Sequence, residues 1–149
     1  MPSCVFNGLD LQKGGSAETY VNYASRVANE AAWKSPLKIE TALTLDGADL
    51  DVSLTLTAMP DTSFTGLNLT VVVVEHETEN PWTDDPPTYS FVARDLSVET
   101  VNISGDVQQE RTAAFTLDAT WVTTNIYVVA FLQEAGQGEV LQSAMKAAN

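Results

Sequence analysis

The chain has 149 residues, with only one cysteine and one histidine. A lone Cys4 cannot close an intramolecular disulfide or form a Cys-x-x-Cys couple, and cysteine-rich zinc sites are excluded with it. Cations are also scarce: seven Lys and Arg stand against twenty Asp and Glu, for a formal charge of −13. Phosphate backbones and anionic headgroups are held by clustered Lys and Arg, so nucleic acid and membrane-surface docking are excluded as partners. Long apolar runs are missing too. Stretches such as residues 71–74 fall far short of the ~20 residues a bilayer-crossing helix needs. The N-terminus lacks the basic stretch and apolar segment of a signal peptide, although a mature or excised segment would look the same.

Apolar residues make up 44% of the chain, enough for the core of one domain or of one domain plus a fragment. The acidic residues are dispersed, concentrating only over residues 75–85, and read as solubility rather than as an interaction tail. Cys4 lies beside Val5 and Phe6 and reads as a buried, inert thiol.

Hydrophobic periodicity divides the chain near Pro36, into a segment 1–35 and a domain 36–149. Before Pro36, Cys4-Val5-Phe6 is a short strand ending at the turn pair Asn7-Gly8. After Gly14-Gly15, Ser16 caps a helix with Glu18 in its first turn. Ala17, Tyr20, Val21, Ala24, Val27, Ala28 and Ala31 recur at helical spacing, giving an amphipathic helix that ends before Ser35-Pro36.

Beyond Pro36 the period becomes two. Leu37, Ile39, Thr41 and Leu43, then Leu50, Val52, Leu54 and Leu56, flank Asp46-Gly47 and read as an antiparallel hairpin. Residues 59–66 read as loop. Leu67, Leu69, Val71 and Val73 follow on one face. Val72 and Val74 make the other face apolar as well, which predicts a central strand covered on part of both faces. Two strands are expected over residues 89–96 and 98–103, another over 112–117, an apolar one over 126–132, and a last one at Val140-Leu141. Seven or eight short strands without intervening helices predict a mainly β fold: an immunoglobulin-like antiparallel β-sandwich preceded by a short strand and one amphipathic helix.

Residues with chemistry to offer are few. Glu75, His76, Glu77, Glu79, Asp84 and Asp85 are the one group of metal-ligand types, in a loop restricted by Pro81, Pro86 and Pro87. Their spacing matches no calcium loop, and they read as a solvated acidic loop, with Glu75 a hydrogen-bonded structural residue. His76 reads as a strand-end histidine rather than a catalytic base, and Ser3, Ser104 and Ser143 lack a nucleophile context. Asp49 and Asp51 share the polar face of a strand. Trp82 and Tyr89 flank the paired prolines and could grip a glycan or peptide, although capping the sandwich edge is the preferred role of Trp82. Trp33 is expected to pack the helix onto the sandwich and Trp121 to lie in the core. Asn68 and Asn102 open glycosylation sequons. No catalytic, cofactor-binding or metal residue is assigned.

Two stretches resemble a family. Residues 121–133, from Trp121 through Asn125 to Val128-Val129-Ala130-Phe131 and Gln133, followed by Glu139-Val140-Leu141-Gln142, resemble the closing hairpin of bacterial thioredoxin-like proteins related to outer-membrane lipoproteins. Val72-Val73-Val74-Glu75 and Val92-x-Arg94-Asp95-Leu96 look like two earlier strands of that domain. The N-terminal run from Pro2 to Gly8, then Gly14-Gly15 and the helix, resembles the last third of a thioredoxin fold, with Pro2 at the cis-proline position. Met1 stands where that family usually has Thr, and the half that would carry the redox Cys-x-x-Cys is not in this chain.

The resemblance implies an extracytoplasmic protein (periplasmic, cell-surface or secreted), with 36–149 an appended sandwich and 1–35 the end of a thioredoxin fold. It implies a non-enzymatic accessory or interaction module whose partner is a protein or its own parent domain. The alternative is a carbohydrate- or calcium-binding sandwich using the 75–89 loop. Without the rest of its fold, segment 1–35 would carry an open strand edge and an uncovered apolar stripe. Docking on the sandwich through Trp33 and Tyr20 is expected, with a homodimer through residues 1–35 as the second possibility.

Overall fold

A computed structural model of the chain describes residues 3–79, 88–105, 107–136 and 138–148; of Ser3 and Asp10 it describes the backbone only. The first three elements are β1 (Ser3–Phe6), β2 (Asp10–Lys13) and α1 (Ala17–Ala32). Strand β2 was not anticipated. It pairs antiparallel with β1 from Phe6 opposite Asp10 to Ser3 opposite Lys13, so one edge of the Cys4 strand is covered. The turn between them places Asn7 and Gly8 at φ 51° and 78°. Ser16 caps α1 as expected, its Oγ accepting the Thr19 N–H at 3.3 Å.

Seven strands then build two antiparallel sheets. One holds β3 (Leu37–Asp46), β4 (Asp49–Ala58) and β9 (Gln109–Thr116), in the order β3-β4-β9. The other holds β5 (Ser63–Glu75), β8 (Val92–Ser104), β10 (Ile126–Gln133) and β11 (Val140–Ala147), in the order β11-β10-β5-β8. A ladder of two-residue strands, β6 (Thr78–Glu79) and β7 (Thr88–Tyr89), stands apart. The chain is therefore mainly β, a three-on-four sandwich. Its fourth strand, β8, lies beside β5, whereas a constant-type immunoglobulin domain groups the fourth strand with the first, second and fifth.

Alternation places the core. Leu37 and Ile39, the row Leu50 to Leu56, the row Leu67 to Val73, and Ile126, Val128, Ala130 and Leu132 are buried between the sheets, with Val101, Ile103, Phe115 and Leu117. Apart from Leu117, which follows β9, each is an inward residue of its strand, so period two in the sequence became one face in space.

Two boundaries moved. Residues 63–66, read as loop, belong to β5, whose register with β8 shifts between Phe64 and Leu67. The strands expected at 89–96 and 98–103 merge into the single β8 from Val92 onward, and Tyr89 belongs to β7. It looked divided because Asp95, Ser97 and Glu99 interrupt the pattern. By register these lie opposite the inward-facing Val73, Val71 and Leu69. Strand β8 is the sheet's edge, and inward charge there discourages strand addition. Glu99 is used further: it lies 3.2 Å from Arg111 Nε of β9 across the gap between sheets.

The end of β8 also explains Gly105. A Cβ at this position would sit 2.0 Å from the carbonyl oxygen of Met59, in the β4–β5 connection, and 3.1 Å from that of Thr62. Main chain cannot yield there without losing the Gly105 N–H to Thr62 carbonyl bond of 2.8 Å. Gly105→Ala is expected to destabilise by about 1–3 kcal/mol, read as a Tm fall of roughly 3–10 °C. A Tm within a degree of the parent would show that the two connections do not abut.

Candidate functional site

The acidic stretch begins where β5 ends, and its first member is not free. Glu75 is 3% exposed. Its Oε2 accepts from Arg94 Nε at 2.9 Å and Nη2 at 2.6 Å, and its Oε1 accepts the Val122 N–H at 2.7 Å. Burial pushes the Glu75 carboxyl up. The Val122 amide and the Arg94 guanidinium outweigh burial and hold it below the usual glutamate range. Arg94 also lies over the Trp121 ring, 5.7 Å from its centroid. Asp118, in the same β9–β10 connection, accepts from the side chain and backbone N–H of Thr120, which lowers its pKa. An open hollow of about 390 Å³ adjoins these groups, lined by Glu75, Glu77, Thr78, Arg94, Thr120 and Val122. Its one guanidinium and its buried carboxylate already satisfy each other.

The structural role read for Glu75 is therefore correct, and Trp121 packs half-buried against the core. What the sequence did not show is the partner. Arg94 is 19 residues away, and only the β5–β8 pairing brings it to Glu75.

His76 sits at the strand end, as expected. Its ring stacks on Phe91 with centroids 4.6 Å apart, and Tyr127 meets both rings edge-on. Nδ1 is buried and has no hydrogen-bond partner among the described residues. Phe91 holds φ 54°, a left-handed conformation unusual for an aromatic residue, and no sequence signal pointed to it. Glu77 is exposed, 3.9 Å from His76, and Glu79 is exposed in β6. Asp84, Asp85, Trp82 and the three prolines lie outside the described residues. Among the described residues no three His, Cys, Asp or Glu are grouped to hold a metal ion.

Segment 1–35 meets the sandwich through its turn. The Val140 N–H donates to Asn7 carbonyl at 3.1 Å, and Asn7 Nδ2 donates to Glu139. Gly8 fits because it has no side chain: a Cβ would lie 2.9 Å from Gly138 carbonyl oxygen and 3.0 Å from Gln133 Nε2. At the far end of the segment, Ser35 Oγ donates to Leu141 carbonyl at 2.7 Å. Trp33 lines a hollow with Glu30, Val140 and Leu141 but stays partly exposed. Tyr20 is no anchor at all: it is 73% exposed, and α1 has no buried residue. Docking through Tyr20 is overturned because Tyr23, not Tyr20, turns inward. It packs edge-on to Phe6 and donates to the carbonyls of Gln12 and Gly14. Val5, Leu9, Leu11, Val21 and Val27 are left exposed. Cys4 is half-buried rather than buried.

Asp49 and Asp51 face outward on β4, and Asn102 accepts the Gly66 N–H at 2.8 Å, holding the β5 bulge. Among the described residues no helix is long and apolar enough to cross a membrane.

No protein-family model matches the chain, and no curated protein matches it significantly. Solved structures do share its fold. HBP35 of Porphyromonas gingivalis superposes with TM-score 0.72 at 14% identity, over 87% of this chain and 46% of that one. A domain of the outer membrane lipoprotein Omp28 from the same organism matches with TM-score 0.55 at 14% identity, over 78% and 93%. Spo0M, a sporulation control protein from Bacillus subtilis, matches with TM-score 0.52 at 15% identity, over 76% and 48%. The chain thus spans just under half the length of HBP35. Residues 36–149 are 114 of the 149, just over three quarters, so the HBP35 superposition also takes in part of residues 1–35. At these identities the likeness is one of fold, a β-sandwich found in bacterial proteins that include an outer-membrane lipoprotein.

Proposed function

We propose that the chain is a non-enzymatic, extracytoplasmic interaction module of a thioredoxin-like protein, its sandwich held on the closing hairpin and helix of that fold. One observation carries this reading: α1 is amphipathic by spacing yet has no buried residue. An isolated helix of 16 residues is marginal in water, and most helical stability comes from packing an apolar face. Here that face, with Val5, Leu9 and Leu11 of the hairpin, is bare. A hairpin followed by a helix, uncovered on one side, fits the end of a larger α/β unit that packs against it. The HBP35 superposition supports this, because it enters segment 1–35 and leaves more than half of that neighbour unmatched. The lipoprotein domain among the neighbours supports an extracytoplasmic setting. One thiol cannot form a dithiol couple, so thiol–disulfide turnover would lie outside this chain.

Hydrogen exchange tests the reading. The 149-residue chain is compared with the longest polypeptide in which its source cell carries these residues. The α1 amides are expected to exchange ~100-fold more slowly in the longer form while the sandwich amides stay unchanged. Equal exchange, or a source that makes only the short form, would overturn it. So would insulin reduction by the chain above a Cys4→Ser control.

A further inference from the structure

Strands β3, β9, β8 and β11 are the edges of the two sheets, and three of them are occupied or guarded. The Leu37 and Thr41 carbonyls of β3 accept from Gln142 Nε2 at 2.7 Å and Lys146 Nζ at 3.1 Å. On β11 the Val140 N–H donates to Asn7 carbonyl, the Leu141 carbonyl accepts from Ser35 Oγ, and the Ser143 N–H donates to Gln142 Oε1. On β8, Asp95 and Glu99 lie on the inward side, which discourages pairing. Strand β9 is different. The Leu117 N–H donates to Ala48 carbonyl at 2.8 Å, which fixes the alternation of the β4–β9 ladder. Residues 109, 111, 113 and 115 bond to β4, and Glu110, Thr112, Ala114 and Thr116 turn their main chain away from it. Arg111 Nη1 donates to the Glu110 carbonyl at 2.7 Å. The N–H and carbonyl groups of Thr112, Ala114 and Thr116 have no partner among the described residues, and all three residues are exposed.

Their side chains are short, and an open hollow of about 450 Å³ lies beside them, lined by Thr44, Asp51, Ser53, Thr112 and Ala114. Register puts Asp51 opposite Ala114. Asp49 accepts from Thr116, and Glu110 accepts from Thr55, but Asp51 has no bond to any described residue. No described cation balances these carboxylates: Arg111 is turned to Glu99, and Lys38 of β3 is paired with Glu40.

We propose that the edge of β9 takes up an extended peptide as a further strand of this sheet, with a Lys or Arg of the peptide lying over Ala114 to reach Asp51. Each of the three open residues offers one N–H and one carbonyl, the footing of strand addition. A peptide residue opposite Ala114 points to the same outer face, and Asp51 lies two strand spacings away, about 10 Å. A long cationic side chain can cross because Ala114 between them is small. The carboxylates select the partner. A second copy paired antiparallel on the same three residues would set Ala114 against Ala114 and bring Glu110 opposite Asp118 at both ends, on two chains of charge −13. A basic peptide brings the opposite sign.

Amide NMR spectra of the full chain, titrated with the end-blocked pentapeptide Thr-Val-Lys-Val-Thr, test this. The amides of Thr112, Ala114 and Thr116 are expected to shift saturably, with a Kd of about 1 mM or tighter. The peptide with Glu for Lys, or with the main-chain nitrogen of its lysine methylated, is expected to bind at least ~5-fold more weakly. Asp51→Asn, at an exposed position, is expected to weaken binding about 2–5-fold. Ala114→Pro removes one open N–H at an edge position that tolerates proline, and is expected to abolish binding. Should that variant not fold, Asp51→Asn and the methylated peptide still decide. No shift at these three amides, equal binding of the Glu or methylated peptide, or an unchanged Kd in Asp51→Asn would overturn the proposal. So would edge shifts that follow protein concentration without peptide, since a second copy would then occupy the strand.

Discussion

Arg94→Ala is expected to be among the most damaging single substitutions in the sandwich, because it strands the Glu75 carboxylate. That carboxylate is 3% exposed and would keep only the Val122 N–H and the Thr78 side chain as partners. Breaking a buried ion pair from one side costs about 3–5 kcal/mol. The Arg94 side chain is itself 28% exposed, so water can enter its place and the lower end applies. About 3 kcal/mol in a chain of this size is a Tm fall of roughly 6–12 °C. Glu75→Met with Arg94→Leu should recover part of the loss, since a buried pair replaced by apolar groups is often neutral. The pH dependence has a definite sign. The folded-state pKa of Glu75 lies below its usual value, so its contribution is complete above the ordinary glutamate range and is lost as pH falls through the lowered value. Without Arg94, burial is opposed only by the Val122 amide and the Thr78 side chain, so the acid-unfolding midpoint moves up. Denaturant titrations at about pH 7 and about pH 5 should show a larger drop in the variant than in the parent. A variant within 1 kcal/mol of the parent, with the same pH profile, would show that the pair contributes nothing.

The second large effect separates two leucines. Leu54→Ala, at the centre of β4 and 1% exposed, is expected to cost about 2–5 kcal/mol through lost burial and the cavity left behind. Leu96→Ala, on β8 and 58% exposed, is expected to stay within about 0.5 kcal/mol. The lone cysteine allows no disulfide within the chain, and a domain of this kind has only ~5–15 kcal/mol to lose. Thermal unfolding of the two variants measures the contrast. Equal losses at both positions would mean that the outer face of the four-stranded sheet is covered as its inner face is.

The substitutions at Arg94 and Leu96 test what strand pairing alone created. Glu75 is legible in the sequence as an acid ending an apolar run, but nothing there names Arg94. The two meet because β5 and β8 pair with Glu75 opposite Val92, and because Val122 returns over the strand end. Phe91 was equally silent, since its left-handed backbone and its stacking on His76 are products of the β7–β8 junction. The 75–89 loop attracted attention through its composition, yet among its described members Glu75 is committed to Arg94 and His76 to Phe91.

Local chemistry determined most of the elements. Ser16 capped the helix, the helix ended before Ser35-Pro36, and period-two runs became the strands that face the core. These readings held because each depends on neighbours within a turn or two of chain. Tertiary structure decided the rest. Which strands share a sheet, and so which outer face is charged and which is apolar, depends on pairings such as β5 with β10, more than 50 residues apart. The same alternation that buried Leu69 and Val71 put Val72 on the outer face, where it is half-buried, while Val74 two residues on is buried there at 6% exposure beside Tyr127, His76 and Phe91, so β5 is covered on part of both faces. Whether the helix stripe from Tyr20 to Val27 is covered is likewise not a property of its spacing. Periodicity states that a face is apolar, and only the arrangement of other surfaces around it decides what, if anything, it buries against.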